Sequence, residues 1–173
     1  MVEKRKFKFI LFIMLLFWGT QLSYACDCDS QGSFLTVASK TEFVSLVKIK
    51  KYLTFKKIYT EKIPTSMEVE IIQIFKGKET RKKIIVWGDN GNLCRPYLSK
   101  FRVNKHYVIA FYSGIKGSDD FGHKGEKNND YFISSCGEYW LDADINERNA
   151  QGLVLNDKKS ISFKELDVFF DKN

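Results

Sequence analysis

Hydrophobic and polar positions alternate along several short stretches of the chain, which is the pattern of β-strands. The clearest case is residues 67–75, which run Met-Glu-Val-Glu-Ile-Ile-Gln-Ile-Phe. Residues 42–50 alternate over part of their length and are rich in Val, Ile and Phe. Three shorter apolar runs follow at residues 84–87, 106–112 and 131–136. The pattern therefore predicts five main strands.

Two segments have apolar residues at helical spacing. Residues 33–40 are compatible with a short helix, although Thr and Val lower its propensity. Residues 162–170 predict a second helix, because Ser162 and Glu165 can form a capping box and the apolar residues share one face. Five strands and two helices predict an α+β, mainly β protein built on a small antiparallel barrel with flanking helices. An OB-type Greek-key barrel is one way to close such a set of strands.

Two long polar stretches separate the predicted strands. Residues 52–66 contain several lysines and Pro64, and they predict a long hairpin connection whose tip projects from the sheet. Residues 113–130 are dense in Gly, Asp, Lys and Asn, which predicts a mobile loop. His123 lies in that loop and is expected to be solvated. His106 lies in an apolar strand and is expected to be a satisfied core or edge residue.

The first 25 residues have the three regions of a secretory signal peptide. Four basic residues precede an apolar run at residues 9–18, and Ser23-Tyr24-Ala25 gives small residues at the two positions that a signal peptidase reads. The run is too short to span a membrane. We therefore expect a single mature domain, residues 26–173, that is secreted, periplasmic or on the cell surface. Alternatively, Cys26 at the new N-terminus is a lipid-attachment site that anchors the protein.

The exported chain would contain four cysteines, at positions 26, 28, 94 and 136. An even number at long intervals predicts a disulfide framework. Three connectivities are open, but a Cys26–Cys28 bridge would strain the backbone, so these two residues are expected to bond separately to the body of the domain. A zinc site made of the four cysteines is the alternative, although it would lack the usual paired Cys-x-x-Cys spacing.

Charge and composition exclude several classes of function. The net charge of +7 comes partly from the signal segment, and Lys and Glu are mixed along the rest of the chain, so nucleic-acid binding is not expected. The sequence has no recognisable catalytic triad, phosphate-binding glycine loop or redox Cys-x-x-Cys motif. Asp142, Asp144 and Glu147 lack the pattern of a calcium loop and are expected at the solvated start of a helix. We expect a monomer that is not an enzyme, has no cofactor and has no transmembrane span after signal removal.

Four sequence features together resemble the N-terminal domain of the tissue inhibitors of metalloproteinases and the wider netrin-like module. They are Cys26-Asp27-Cys28 at the mature N-terminus, Asn92-Leu93-Cys94, the run at residues 105–111, and Ser134-Ser135-Cys136. The resemblance covers about residues 26–141. It implies a five-stranded OB-fold in which Cys26 is bonded to Cys94 and Cys28 is bonded to Cys136.

The resemblance also implies an activity, the inhibition of a zinc metallopeptidase. The amine and carbonyl of Cys26 would chelate the zinc of the target, and Asp27 would face its specificity pocket. Asn92 and Leu93 would form the neighbouring part of the contact ridge. Asp27 stands where the animal inhibitors usually have Thr or Ser, and only two disulfides are possible where their N-terminal domain has three.

A second class of function fits the same family. A netrin-like binding or adhesion module, tethered through Cys26 or not, would have no inhibitory activity. Such a module would use the Lys-rich hairpin at residues 52–62 and its aromatic residues Tyr52, Phe55 and Tyr59 to contact an acidic partner.

Overall fold

The computed structural model describes residues 28–58, 60–117 and 122–171. The predicted signal peptide, residues 1–25, lies outside the described residues, and so do Cys26, Asp27 and Tyr59. The described part is mainly β, which confirms the predicted class at that level.

In the described residues, eight strands and two helices follow one another, so the predicted number of five strands is too small for the sheet as a whole. The additional strands are short and carry many polar residues, which hides their alternation in the sequence. The strands are β1 (Phe43–Ile58), β2 (Glu61–Lys76), β3 (Lys83–Trp87), β4 (His106–Ser113), β5 (Tyr131–Phe132), β6 (Trp140–Asp144), β7 (Asn149–Leu155) and β8 (Lys158–Ser162). The helices are α1 (Phe34–Ala38) and α2 (Phe163–Asp171), and a 3-10 turn spans Leu98–Lys100.

The strands form one mixed sheet in the order β1-β2-β3-β5-β4-β6-β7-β8. In addition β1 pairs with β4, so strands β1 to β5 are joined by five successive pairings that lead back to β1. The β3–β5 pair is parallel and the other pairs are antiparallel, which corrects the expectation of a purely antiparallel arrangement. Strands β6, β7 and β8 extend the sheet outward from β4.

The β1–β2 hairpin is much longer than predicted. Both strands have 16 residues, and their pairing continues to Ile58 and Glu61, so the expected connection at residues 52–66 is itself β-structure. Residues 53–57 are all exposed, and the burial alternation that marks a strand is lost there while the backbone ladder continues. Pro64 is accommodated at a register shift opposite Phe55, where a strand tolerates a missing N–H. We call residues 51–58 and 60–66 the hairpin arm.

Both predicted helices are present. The second begins with the expected capping box, since Glu165 N donates to Ser162 Oγ (3.2 Å) and Ser162 N donates to Glu165 Oε2 (2.8 Å). Its buried residues Phe163, Leu166 and Phe170 face the sheet, and the Phe163 ring lies 6.0 Å from that of Phe75 in β2. The predicted apolar face of α2 is therefore the face that packs.

The short helix α1 is covered on one side by the sheet, and its C-terminal end is bound by a lysine from β2. Lys76 Nζ donates to the carbonyl oxygens of Ala38 (3.2 Å), Ser39 (2.7 Å) and Thr41 (2.6 Å). A cation at this end satisfies carbonyl groups that have no partner inside the helix. This contact compensates for the weak intrinsic propensity of the segment.

The acidic cluster after Trp140 does not begin a helix as expected. Asp142 and Asp144 belong to β6, and Glu147 lies in the turn to β7. Asp144 Oδ1 accepts hydrogen bonds from the backbone N–H groups of Asn146 (2.9 Å) and Glu147 (3.1 Å). The aspartate therefore shapes a hairpin turn, which is a common role of this residue type.

Two glycines with positive φ offer a matched test of the packing between the end of β2 and the start of β1. Gly77 has φ +85°, and a Cβ there would contact the carbonyl oxygen of Glu42 and lie 3.3 Å from Phe43 Cα. Gly125 has φ +97° and nothing within 4 Å of such a Cβ. We expect Gly125→Ala to lower the free energy of unfolding by about 1 kcal/mol, and Gly77→Ala to lower it by about 3 kcal/mol because the steric clash adds to the backbone strain. Urea denaturation measures both values, and equal losses would contradict the packing described.

Candidate functional site

The cysteines come together at one end of the sheet. Cys28 and Cys136 form a disulfide with a Cα–Cα distance of 5.6 Å, which is the pairing that the resemblance implies. The Cys94 sulfur lies within 4.8 Å of both of these sulfurs, and none of the three described cysteines is free. Because Cys26 lies outside the described residues, the Cys26–Cys94 bridge stays a prediction.

Bonded sulfurs also bear on the alternative of a zinc site. Zinc is bound by thiolates, and the sulfurs of Cys28 and Cys136 are joined to each other. The described geometry therefore favours a disulfide framework over a four-cysteine metal site.

The segment that follows Cys28 lies beside the stretch around Cys136. Gln31 N donates to the Cys136 carbonyl (2.6 Å), and Glu138 N donates to the Gly32 carbonyl (3.0 Å). The Tyr139 hydroxyl donates to Gln31 Oε1. Together with the disulfide, these bonds hold residues 28–32 against residues 136–139.

The loop at residues 88–95 brings Asn92 and Leu93 next to the disulfide. Asp89 shapes it from inside: this side chain is buried, and its Oδ1 accepts a hydrogen bond from Leu93 N (2.7 Å). Asn90 Oδ1 accepts one from Asn92 N (3.1 Å). Asn92 is exposed and Leu93 is half-buried, so both are accessible from the same side as Cys94. The structure thus brings together every predicted contact residue that it describes.

An open groove of about 470 Å³ runs beside these residues, and we call it the ridge groove. Its walls are mainly aromatic and aliphatic, with a hydrogen bond between the Tyr112 and Tyr139 hydroxyls (3.1 Å) at one side. Such a surface can accept an apolar side chain from a partner. The lining residues are Gln31, Asn92, Leu93, Cys94, Arg95, Tyr112, Ile115, Phe132, Ser134 and Tyr139.

A buried ion pair joins the Cys94 loop to the segment that was predicted to be mobile. Arg95 Nη1 lies 2.8 Å from Glu126 Oε2, and the side chains are 3% and 0% exposed. The second carboxylate oxygen of Glu126 accepts a hydrogen bond from Ile115 N (2.9 Å), and the Arg95 guanidinium lies 4.2 Å from the centroid of the Phe132 ring. The described residues 122–130 are therefore anchored to the core, contrary to the expectation. No signal in the sequence links Arg95 to Glu126.

His123 is also buried, and the expectation that it is solvated is wrong. Its side chain stacks on Trp87 with ring centroids 4.9 Å apart, and its Nε2 donates to the Gly88 carbonyl (2.7 Å). Trp87 Nε1 in turn donates to Asp130 Oδ2 (2.9 Å). Burial is the main cause that lowers the pKa of His123 below its usual value. The imidazole is therefore neutral at pH 7 and serves as a structural donor.

His106 is the first residue of β4, where it is half-buried and lies opposite Lys48 of β1. Burial lowers its pKa, and the charge of Lys48 acts in the same direction. It has no metal-ligating neighbours among the described residues that would make it part of a metal site.

The hairpin arm extends over the loop at residues 88–95. Lys56 Nζ donates to the Asn90 carbonyl (3.1 Å). Of the aromatic residues predicted to contact a partner, Tyr52 is half-buried and donates its hydroxyl to the Phe101 carbonyl (2.6 Å). Phe55 is 45% exposed, and Lys62 Nζ lies 4.8 Å from its ring centroid. Phe55 is thus available to a partner, whereas Tyr52 has a structural role.

Comparison with known proteins gives no relative from which a function can be transferred: no protein-family model matches the chain, and neither does any curated protein. Within the described ranges, none of the helices has the length and apolar character needed to cross a membrane. The function must therefore be argued from the site.

The buried ion pair predicts a large stability effect from a change that removes one charge. We expect Glu126→Gln to lower the free energy of unfolding by about 3 kcal/mol or more, because it removes the buried carboxylate that pairs with the Arg95 guanidinium. The matched control is Glu70→Gln, which removes the partner of Lys50 in a pair whose side chains are 32% and 35% exposed. That change should cost much less, because water screens the charges of an exposed pair. Urea unfolding of both variants checks the difference, and similar losses would show that Arg95 and Glu126 are not a buried pair.

The two histidines, the only ones in the chain, predict how stability depends on pH. Their pKa values are lowered by folding from 6.5, so the unfolded chain binds protons first, and stability that is present above pH 6.5 is lost as the pH falls. We expect His123→Gln to flatten this dependence between pH 7 and about 5 more than His106→Gln does, because His123 is more deeply buried. Urea midpoints of unfolding, measured across this pH range for the wild type and both variants, test which histidine contributes more. If the midpoints of the wild type and of His123→Gln depend on pH in the same way, the prediction is contradicted.

Proposed function

We propose that the chain is an exported netrin-like protein that inhibits a zinc metallopeptidase with its N-terminal residue. The observation that carries this proposal is the grouping of the Cys28–Cys136 disulfide, the Cys94 sulfur and the exposed Asn92 on one surface. The described members of the contact ridge that the family resemblance assigns are Asn92 and Leu93, which directly precede Cys94. The two remaining members, Cys26 and Asp27, directly precede the anchored Cys28 in the sequence.

The strand pairings support the OB-fold part of the proposal. A small barrel leaves no edge only if its first strand pairs with two other strands of the set. Strand β1 pairs with both β2 and β4, while β5 connects β4 to β3 through an antiparallel and a parallel pair. We infer that β1 to β5 are the five strands of the OB barrel and that β6 to β8 are an addition to it.

The proposed inhibition follows from the chemistry of a free N-terminus. The α-amino group and the carbonyl oxygen of Cys26 would form a five-membered chelate, and an α-amine with an ordinary pKa near ~8 can lose its proton on meeting a metal ion. A catalytic zinc keeps one coordination position for water, which such a chelate can displace. The inhibitor would then occupy the metal without presenting a peptide bond that can be cut. Asp27 would enter the specificity pocket, and Asn92 and Leu93 would contact the rim.

Disulfides explain how a terminal segment could act as a rigid wedge. The Cys28–Cys136 bridge joins residues 108 positions apart. In the chain-entropy account such a bridge, and a proposed Cys26–Cys94 bridge closing roughly 70 residues, each contribute on the order of 4 kcal/mol by restricting the unfolded chain. The greater benefit for binding would be an N-terminus that the two bridges hold in place before association, which would lower the entropic cost of binding.

A binding module without inhibitory activity is the second candidate, and one observation favours it. Phe55 is exposed on the hairpin arm among lysines, with Lys62 stacked over its ring. An acidic protein surface would be attracted to such an arm by charge and could bury the ring. This function would tolerate a blocked N-terminus, which separates it from the first candidate.

The first test is the chemical state of the exported protein. We expect intact-mass measurement and non-reducing peptide mapping to find a free amine on Cys26 and a Cys26–Cys94 bridge. We further expect inhibition of at least one enzyme in a panel of zinc metallopeptidases. A variant with one additional Ala before Cys26 should lose about 100-fold or more in affinity for that enzyme, because its amine and carbonyl no longer lie at the chelating position.

Two further variants test whether inhibition depends on the proposed contact ridge and not on the hairpin arm. Asp27→Thr should strengthen the inhibition of peptidases with apolar pockets by about tenfold, since it removes a charge that is costly to bury. Lys57→Gln on the hairpin arm should leave inhibition unchanged. An acylated Cys26, or full inhibition by the Ala-extended variant, would rule out the zinc-chelating mechanism and leave the binding module.

A further inference from the structure

The geometry points to a second binding site, in a groove of about 500 Å³ between the hairpin arm and the Trp87–His123 stack. We propose that this arm groove binds a phosphate or sulfate monoester of a sugar. The residues that carry the inference are Thr54, Lys56, Thr65, Trp87, His123 and Lys124. The inference is independent of the proposed inhibition, because it uses none of the cysteines and neither Asn92 nor Leu93.

The floor of the arm groove is rigid and polar. Thr65, Trp87 and His123 are only 4%, 6% and 8% exposed, yet all three line the groove. Thr65 Oγ1 is 2.9 Å from Thr54 Oγ1, which is itself 2.6 Å from Ser66 Oγ. A hydroxyl group has one donor and two acceptor positions, so this chain of hydroxyls retains capacity for a ligand. A fixed polar floor under an open groove is typical of small-ligand sites.

The rim of the arm groove is positively charged. Lys56 Nζ donates one hydrogen bond to the Asn90 carbonyl (3.1 Å), which holds the ammonium group in place and leaves two N–H donors. Lys124 is exposed and also lines the groove. In the described ranges neither lysine forms a salt bridge with a carboxylate. Two unneutralised ammonium groups facing one groove favour an anionic ligand.

The described carboxylates near the groove have other partners. Glu126 is paired with Arg95, and Asp130 Oδ2 accepts hydrogen bonds from Trp87 Nε1 (2.9 Å) and from Lys127 N (3.1 Å). Asp89 accepts from Leu93 N on the side of the ridge groove. Among the described residues, these three carboxylates form no salt bridge with Lys56 or Lys124.

The size of the arm groove and its aromatic walls indicate a ligand larger than a simple ion. A groove of about 500 Å³ has room for a monosaccharide together with its oxyanion. Phe55, 45% exposed at the edge, offers an apolar face against which the C–H groups of a sugar ring can pack. The hydroxyls of Thr54 and Thr65 match those of the sugar, and the two lysines match the ester group.

The test is a titration of the purified protein with candidate ligands. Two-dimensional NMR monitors the shift of the Trp87 indole N–H signal at each ligand concentration. Glucose 6-phosphate and glucose 6-sulfate are the two ester probes, and inorganic phosphate and glucose are the partial ligands. We expect saturable shifts with an ester at a Kd in roughly the millimolar range, weaker binding of inorganic phosphate and much weaker binding of glucose. The preferred ester identifies which oxyanion the site takes.

Charge variants distinguish a site from general attraction to a basic surface. Lys56→Gln and Lys124→Gln should each weaken ester binding about fivefold, and the double variant should abolish saturation. Lys57→Gln, which removes an equal charge from the arm outside the groove lining, should have no effect. Equal weakening by Lys57→Gln, binding of glucose as tight as that of its esters, or no saturable shift with either ester would overturn the proposal.

Discussion

The Cys28–Cys136 disulfide is the constraint on which the proposed contact site depends. It joins the first described residue to a position 108 residues later, just beyond β5. Hydrogen bonds from Gln31 and Glu138 extend this attachment along both segments. A terminal segment held only by a few hydrogen bonds would fray, since chain ends lose little by opening. The covalent bond removes that freedom and fixes the position of Cys28 relative to Cys136.

The buried Arg95–Glu126 pair fixes the position of the loop at residues 88–95, as the disulfide fixes the position of the segment that begins at Cys28. Arg95 directly follows Cys94, and Glu126 also accepts backbone hydrogen bonds from Ile115 and His123. The Cys94 loop and two backbone N–H groups of the segment that contains Glu126 thus meet on one carboxylate. Buried ion pairs contribute little net stability compared with an apolar core, but removing one member is costly. The pair is therefore better understood as fixing the position of the loop than as a source of stability.

Sequence reasoning succeeded where the signal is local. The capping box of α2 and the alternation in residues 67–75 depend on neighbours in the chain, and both appear in the structure. It failed where the partner is distant. A stretch of Gly, Asp, Lys and Asn looks solvated by composition, yet Glu126 and His123 are buried in it because Arg95, Trp87 and Gly88 come from elsewhere in the chain. The hairpin arm was missed for a related reason: its exposed residues show no burial period, and only the pairing of the two backbones makes it a strand.

The loop at residues 88–95 separates two surfaces that differ in chemistry. On one side Leu93 and Cys94 line the ridge groove, whose walls are largely apolar; on the other, the Asn90 carbonyl holds Lys56 above the arm groove. Asp89 is buried between them and bonds to Leu93 N, so the shape of the loop is common to both grooves. A substitution at Asp89 would therefore disturb the two together and could not assign a function to either. The lysines of the arm and the residues before Cys28 lie on separate elements, and because of this separation the two proposed activities can be tested one at a time.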